Sequence, residues 1–264
     1  MSMERIQRVL QQSKESPGGE GGRTASPGSA LSTIPVPLIY THTRTVVPSV
    51  SAMREHRVVM TANGGPYLEA YKILRTQIVH RLHEHRWNVI GVTSPGQGEG
   101  KTSVAANLAI CLAMDPNFTA LLIDANLRKP QVHQLFGIEN RGLADFLLDQ
   151  ASLVDLLIHP QIDRLVVLPG GGPLQHSVEA LTLPKMKALV EEVRTRYTSR
   201  VVVVDLPPLL HMADVLAIAP MLDAVLLVVE AGRTTEDDIS RALSLIQGNL
   251  PVLGTVLNKA TSGV

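Results

Sequence analysis

The stretch Ser94-Pro95-Gly96-Gln97-Gly98-Glu99-Gly100-Lys101-Thr102 sets three alternating glycines ahead of a lysine and a hydroxyl. Glycines let successive backbone N–H groups turn onto an anion, and a helix that starts there adds the positive end of its dipole. A lysine so placed reaches the β- and γ-phosphates of a nucleotide, and the adjacent hydroxyl ligates Mg²⁺. Gly96, Gly98, Glu99, Gly100, Lys101, Thr102 and Ser103 are therefore the expected nucleotide-binding set, with Ser103 placed to cap the α-phosphate. The context fits, because residues 88–93 form an apolar, strand-like run and residues 103–114 are compatible with a helix. Strand, glycine-rich loop and helix make a phosphate-binding P-loop, whose ligand is a nucleoside triphosphate. One position departs from the strict pattern. Pro95 stands where glycine is usual, and it allows a tight turn while removing one donor.

A phosphate loop does not define a reaction; the acids around it do. Asp205 closes the apolar run 201–204 and precedes Leu206-Pro207-Pro208. An acid at the end of a buried strand beside the loop is placed to hold Mg²⁺ through water. In a purely structural role it would cap the next segment. Asp124 ends a second apolar run, 120–123.

These residues need a frame. Residues 68–83 carry Tyr71, Leu74, Ile78 and Leu82 at helical spacing. Strand-like runs fall at 88–93, 118–123, 164–168, 200–204, 224–229 and 252–257, separated by helical segments at 102–114, 184–198, 213–221 and 235–248. Continuous Val/Leu/Ile strands alternating with helices predict an α/β fold, a mostly parallel sheet covered by helices on both faces. Ligands sit at the carboxyl ends of such strands, where the P-loop falls. Ahead of this domain, taken as residues 63–264, the pattern changes. Residues 1–14 place Ile6, Val9 and Leu10 on one face of a short amphipathic helix, too short to stand alone. Residues 15–62 are rich in Pro, Gly, Ser and Thr and read as a flexible linker. A helix on a tether suits docking onto another protein, and a frayed terminus equally.

Composition bounds the partners. The formal net charge is +0, so nothing global argues for nucleic acid or an anionic membrane. Aromatics make up 3% of the chain, which leaves no repeated stacking surface for single-stranded nucleic acid. A single cysteine, Cys111, rules out an internal disulfide, and its apolar surroundings suit a small buried hydrophobe. No run approaches the roughly 18 apolar residues that span a bilayer, and the N-terminus lacks the apolar segment of a secretory signal. The expectation is a soluble, cytoplasmic protein that meets a membrane only through a partner.

The run 120–123 followed by Asp124-Ala125-Asn126-Leu127-Arg128 resembles the Walker A′ motif of bacterial tyrosine kinases, P-loop kinases that regulate export of capsular and extracellular polysaccharide. The resemblance extends from about residue 65 to 258. Glu69, Lys72 and Arg75 fall at the spacing of the family's Glu-x-x-Arg-x-x-Arg oligomerisation helix. Matching blocks follow in order at Gly142–Leu147, Val167–Gly171, Asp205–Pro208, Asp214–Ala217 and Gly254–Asn258. The short N-terminal helix is similar to that of members encoded as separate cytoplasmic kinases. Partitioning and septum-positioning ATPases share the P-loop but carry a second lysine where this chain has Gly96. The resemblance implies transfer of the γ-phosphate of ATP to protein tyrosine. It makes Lys101, Asp124 and Asp205 the catalytic residues and Thr102, Asp124 and Asp205 the Mg²⁺ site, with Asp124 also the base. It places Asn258 beside the adenine and a homo-oligomer interface on the Glu69/Lys72/Arg75 helix. The implied partner is a membrane-anchored polysaccharide co-polymerase, whose cytoplasmic segment recruits the kinase to the inner face of the membrane.

Three positions depart from that family. Asn126 replaces the second acid of Walker A′, and an amide supplies neither negative charge nor a useful base. Lys72 replaces an arginine and loses its bidentate fork. No tyrosine follows Tyr197, so the usual C-terminal tyrosine cluster is missing; Tyr40 is the best self-substrate, while Tyr71 and Tyr197 read as core-facing. These departures support a rival reading, an ATP-gated oligomeric regulator of an export complex; a partitioning-type ATPase is disfavoured by Gly96. Other features carry no chemistry. His80, His83 and His85 read as a solvated helix end, Trp87 as packing, and Thr235 with Glu236-Asp237-Asp238 as a helix cap. Gly170-Gly171-Gly172 faces either the nucleotide or a neighbouring subunit.

Overall fold

The structure, a computed structural model, describes residues 43–59, 67–195 and 199–260. Among the described residues eight strands form one sheet: β1 (Arg44–Thr45), β2 (Val89–Thr93), β3 (Thr119–Asp124), β4 (Ile158–His159), β5 (Leu165–Leu168), β6 (Arg200–Asp205), β7 (Ala224–Glu230) and β8 (Val252–Asn258). Their order is β1-β4-β5-β3-β6-β2-β7-β8, and every neighbouring pair is parallel except β4 against β5. The helices are α1 (Val50–Glu55), α2 (Leu68–His85), α3 (Lys101–Ala113), α4 (Val132–Phe136), α5 (Leu143–Leu147), α6 (Leu153–Leu156), α7 (Ser177–Leu181), α8 (Pro184–Thr195), α9 (Asp214–Ile218) and α10 (Glu236–Ile246).

Strand β6 shows why the sheet takes this form. Its valines alternate, Val201 and Val203 into the core beneath α2 and α3, Val202 and Val204 into the core beneath α8, α9 and α10. A strand apolar on both sides has to be covered on both faces, and parallel β-α-β connections provide that cover. The six expected strands and the helices expected at 68–83, 102–114 and 235–248 appear within a residue or two of their expected bounds. The helix expected at 184–198 is described to Thr195, and that expected at 213–221 gives way to a 3-10 turn after Ile218. Two short strands and several helices of six residues or fewer were not legible as separate elements.

The N-terminal boundary is corrected. Residues 43–59, expected to be linker, belong to the domain. Strand β1 adds to β4, the Ser49 N–H donates to Phe136 O at 2.8 Å, and Ser49 Oγ caps α1 by accepting from Ala52 N at 3.3 Å. Met53, Val58 and Val59 are buried, so local apolar content outweighs the Pro/Gly/Ser composition of the wider segment. Asn107 on α3 fastens the end of this strap with its whole amide: Oδ1 accepts from Val59 N at 2.7 Å, and Nδ2 donates to Arg57 O at 3.1 Å. The expected N-terminal helix, Tyr40 and Tyr197 lie outside the described residues.

Asn107→Ala is expected to cost about 1–3 kcal/mol, because it strands buried backbone groups. Native-state amide exchange should rise more at Val58 and Val59 than in β2, β3 and β6. An equal rise in both places would mean that Asn107 supports the whole core and does not fasten the strap.

Candidate active site

Sheet register assembles the site. Val92 and Asp124 both stand opposite Asp205, so the start of the P-loop and the two acids share one edge of the sheet. The loop leaves β2 after Thr93 and enters α3 at Lys101. The segment after Asp205 braces its first bend. Leu209 N donates to Ser94 O at 2.8 Å, Leu210 N to Pro95 O at 3.1 Å, and Thr93 Oγ1 to Pro207 O at 2.6 Å. Pro95 takes part in this brace through its carbonyl.

The second half of the loop is held from β7 and β8. Gly100 has φ +93, and a Cβ there would lie 2.0 Å from Asn258 Nδ2, so this turn needs glycine. Asn258 Nδ2 donates to Glu99 O at 2.8 Å and Lys259 Nζ to Gly98 O at 2.7 Å. Asn258, expected beside the adenine, thus has its amide nitrogen committed to the loop backbone. Glu99, expected among the nucleotide ligands, turns its carboxylate back into the protein. It accepts from Gly96 N at 2.7 Å and from the Thr234 hydroxyl, which in turn accepts from Glu230 N at 2.8 Å. Its side chain is a brace, because a carboxylate would repel phosphate. No side chain caps α3, so the N–H groups of its first turn, which includes Lys101, Thr102 and half-buried Ser103, remain for an anion.

Asp124 and Asp205 are fully buried. Asp124 Oδ1 accepts from Asn126 N at 3.2 Å, and Oδ2 accepts from Gln131 N at 2.8 Å and Val132 N at 2.9 Å. Burial, and next the Asp205 charge, push Asp124 up to about 8 against the pull of those N–H groups. Burial pushes Asp205 up to about 6, opposed by the Lys101 ammonium and the Thr102 hydroxyl. That hydroxyl is near enough to favour the carboxylate, yet among the described residues neither it nor either oxygen of Asp205 has a hydrogen-bond partner. Asn126 Oδ1, also buried, has none either. Unsatisfied buried oxygens are rare, and several around two acids fit a hard divalent cation held by Thr102 and the two aspartates.

The Gly170–Gly172 loop is closely packed at its first residue. A Cβ at Gly170 would lie 2.4 Å from Pro130 Cβ and 3.2 Å from Asp124 Cγ, so the loop after β5 packs directly on the Asp124 carboxyl. Sequence reasoning missed two braces of the loop and the anchor of Arg128. Thr234 and Lys259 brace the loop, and Arg128 is tied to Ser177, 49 residues further along the chain, and through it to Asp214, 37 residues beyond that. Separations of that length leave no local signal.

The other expected features sit away from this cluster. On α2, Lys72 Nζ bonds Glu69 Oε1 at 2.7 Å, while Arg75 Nη1 reaches Cys111 O of α3 at 3.2 Å. His83 packs on Phe118, His85 stacks on Trp87, and burial pushes the Cys111 thiol up to about 11. Thr235 and Asp238 cap α10 reciprocally. Tyr71 is largely buried near Asn107, and Tyr67 is exposed.

No family model matches the chain. It is 32% identical over 210 residues to the tyrosine-protein kinase YwqD of Bacillus subtilis, which spans 79% of this chain and 87% of that protein. It is 35% identical over 225 residues to the succinoglycan biosynthesis transport protein ExoP of Rhizobium meliloti, covering 83% of this chain but only 28% of ExoP. The kinase domain of the Escherichia coli tyrosine kinase ETK superposes with a TM-score of 0.68 at 25% identity, over 84% of this chain and 92% of that one. With the P-loop, the paired acids and these relatives in agreement, the chain belongs to the bacterial tyrosine kinase family.

Proposed function

We propose that the protein binds ATP with Mg²⁺ and transfers the γ-phosphate to protein tyrosine, in the service of exopolysaccharide or capsule synthesis and export. One observation carries this reading. The Thr102 hydroxyl and both Asp205 oxygens are buried without partners beside Lys101, at the mouth of an uncapped helix. Bound there, Mg²⁺ supplies charge neutralisation to the phosphates and the two acids. Lys101 and the N–H groups of Gly98, Gly100 and Thr102 hold phosphate oxygens, with Ser103 on the α-phosphate; the Gly96 N–H, expected in that set, is taken up by the Glu99 carboxylate. Asp124 is fixed by three backbone donors and raised in proton affinity, which suits the group that takes the tyrosine proton. The names of YwqD and ExoP support the substrate class and the polysaccharide setting. We take the partner to be the cytoplasmic segment of a membrane-anchored polysaccharide co-polymerase, which recruits the kinase to the membrane, and α2 to be the surface that joins copies. Among the described residues no helix is long and apolar enough to cross a membrane.

Asn126 favours a second reading, an ATP-gated regulator that oligomerises without phosphorylating. γ-Labelled ATP separates the two. Wild-type protein with the partner segment should gain label on tyrosine, and Lys101→Met should lose it along with about a hundredfold in ATP affinity. Nucleotide binding without protein label would establish the regulator, and unchanged ATP affinity in Lys101→Met would remove the site assignment altogether.

The raised acids make a further prediction. Without metal, the folded protein holds protons on Asp124 and Asp205 that the unfolded chain, with ordinary carboxyls near 3.8, has lost. The stability this pair contributes is complete below that value and is lost as pH rises through about 6 and about 8. The melting temperature of nucleotide-free protein should therefore fall between about pH 5 and 8, while Mg²⁺·ATP affinity climbs as the carboxylates ionise. Asp205→Asn should flatten the stability profile, raise the melting temperature by about 3 °C at pH 8, and abolish the Mg²⁺ dependence of binding. A pH-independent melting curve in the wild type would overturn the assignment of raised proton affinities.

A further inference from the structure

Arg128 ends the motif that begins at Asp124, and its guanidinium is anchored from one edge. Nε donates to Ser177 Oγ at 2.9 Å and lies 3.6 Å from Asp214 Oδ2, while the Ser177 hydroxyl donates to Asp214 Oδ1. Ser177 and Asp214 are fully buried in the first turns of α7 and α9, and Asp214 Oδ2 accepts no hydrogen bond. A carboxylate buried this completely needs a cation, and among the described residues Arg128 is its ion-pair partner.

The anchor leaves most of the guanidinium unused. Nη1 and Nη2 make no hydrogen bond among the described residues, and the side chain is 41% exposed. An ion pair built only for stability would set the two-pronged fork on the carboxylate. Here the contact is made through Nε, and the terminal fork stays available. The terminal N–H groups of Arg128 are donors held in place from behind by Ser177 and Asp214, and a fixed, partly exposed fork of donors is matched by an anionic ligand.

We propose that Arg128 binds an oxyanion at the mouth of the catalytic centre, with Ser177 and Asp214 as its positioning residues. The inference rests on the nucleotide-site reading above. The oxyanion has two sources, the γ-phosphoryl group of the nucleotide or an acidic side chain of the acceptor protein. The planar fork of arginine matches both.

Arg128→Met, Asp214→Asn and the double variant test this by calorimetry with ADP and a non-hydrolysable ATP analogue, each with Mg²⁺. Binding of a glutamate–tyrosine copolymer is measured alongside by anisotropy. In Arg128→Met, ADP affinity should hold within about twofold, while either the ATP analogue or the copolymer weakens about tenfold. Loss with the analogue identifies the γ-phosphoryl group, and loss with the copolymer identifies the acceptor. The double variant no longer buries an unopposed charge, so it should regain the melting temperature lost by Arg128→Met without regaining ligand affinity. Free guanidinium should restore part of that affinity. The proposal fails if ADP weakens as much as the analogue, if neither ligand is affected, or if the double variant recovers binding together with stability. Absence of nucleotide binding in the wild-type protein would count against the nucleotide reading instead, and the copolymer arm would still decide the role of Arg128.

Discussion

Asp124 and Asp205 stand at paired positions on adjacent parallel strands, both fully buried. Two carboxylates in that arrangement repel, and burial strips away the water that would screen them. Most of the surrounding structure can be understood as containing that repulsion. Three backbone N–H groups hold Asp124, and Lys101 opposes Asp205 from the P-loop. The remaining charge is left for a ligand to neutralise. The site is thus least stable in itself where it is most able to bind a cation, a common arrangement in active sites that trade stability for function.

The P-loop is correspondingly over-determined. One bend is tied to the backbone after Asp205, and the other to Asn258, Lys259 and Thr234 at the ends of β7 and β8. Glu230 links these anchors, since it pairs with Lys259 and Arg233 at 3.1 Å each, and those cations hold its carboxyl below the usual range. The N–H groups that would meet phosphate are thereby set in place before any nucleotide arrives, which limits the entropy lost on binding.

How much of this the sequence disclosed depended on the range of each signal. The P-loop, Asp124, Asp205 and the six long strands were legible because each is written within about ten consecutive residues, by glycine spacing or by an unbroken apolar run. The strap at 43–59 was not. Its few apolar residues are embedded in a linker-like composition, and the strap is fastened at its end by Asn107, 48 residues beyond Val59. The bracing contacts of Glu99 and Asn258 were not legible for a related reason. Both lie in nucleotide-binding neighbourhoods, but their partners, Thr234 and the Glu99 carbonyl, are more than a hundred residues away. Proximity to a motif identifies a site; which side of the loop a side chain serves is settled only by packing.

Asn126 carries the question of catalysis, and charge arithmetic bears on it. A third carboxylate beside Asp124 and Asp205 would add to a repulsion already large enough to raise both acids. With an amide there, the pair presents two negative charges, which one divalent cation can balance. Among the described residues the amide oxygen is buried and unpartnered, so it can still accept a hydrogen bond from a ligand or water bound there. What the substitution removes is a base. Asp124 is then the acid on the A′ loop available for proton transfer, and its backbone donors constrain both oxygens while they hold it in position. On the proposed reading, nucleotide binding depends little on residue 126, whereas the rate of phosphoryl transfer would depend on how readily Asp124 accepts a proton without leaving its backbone donors.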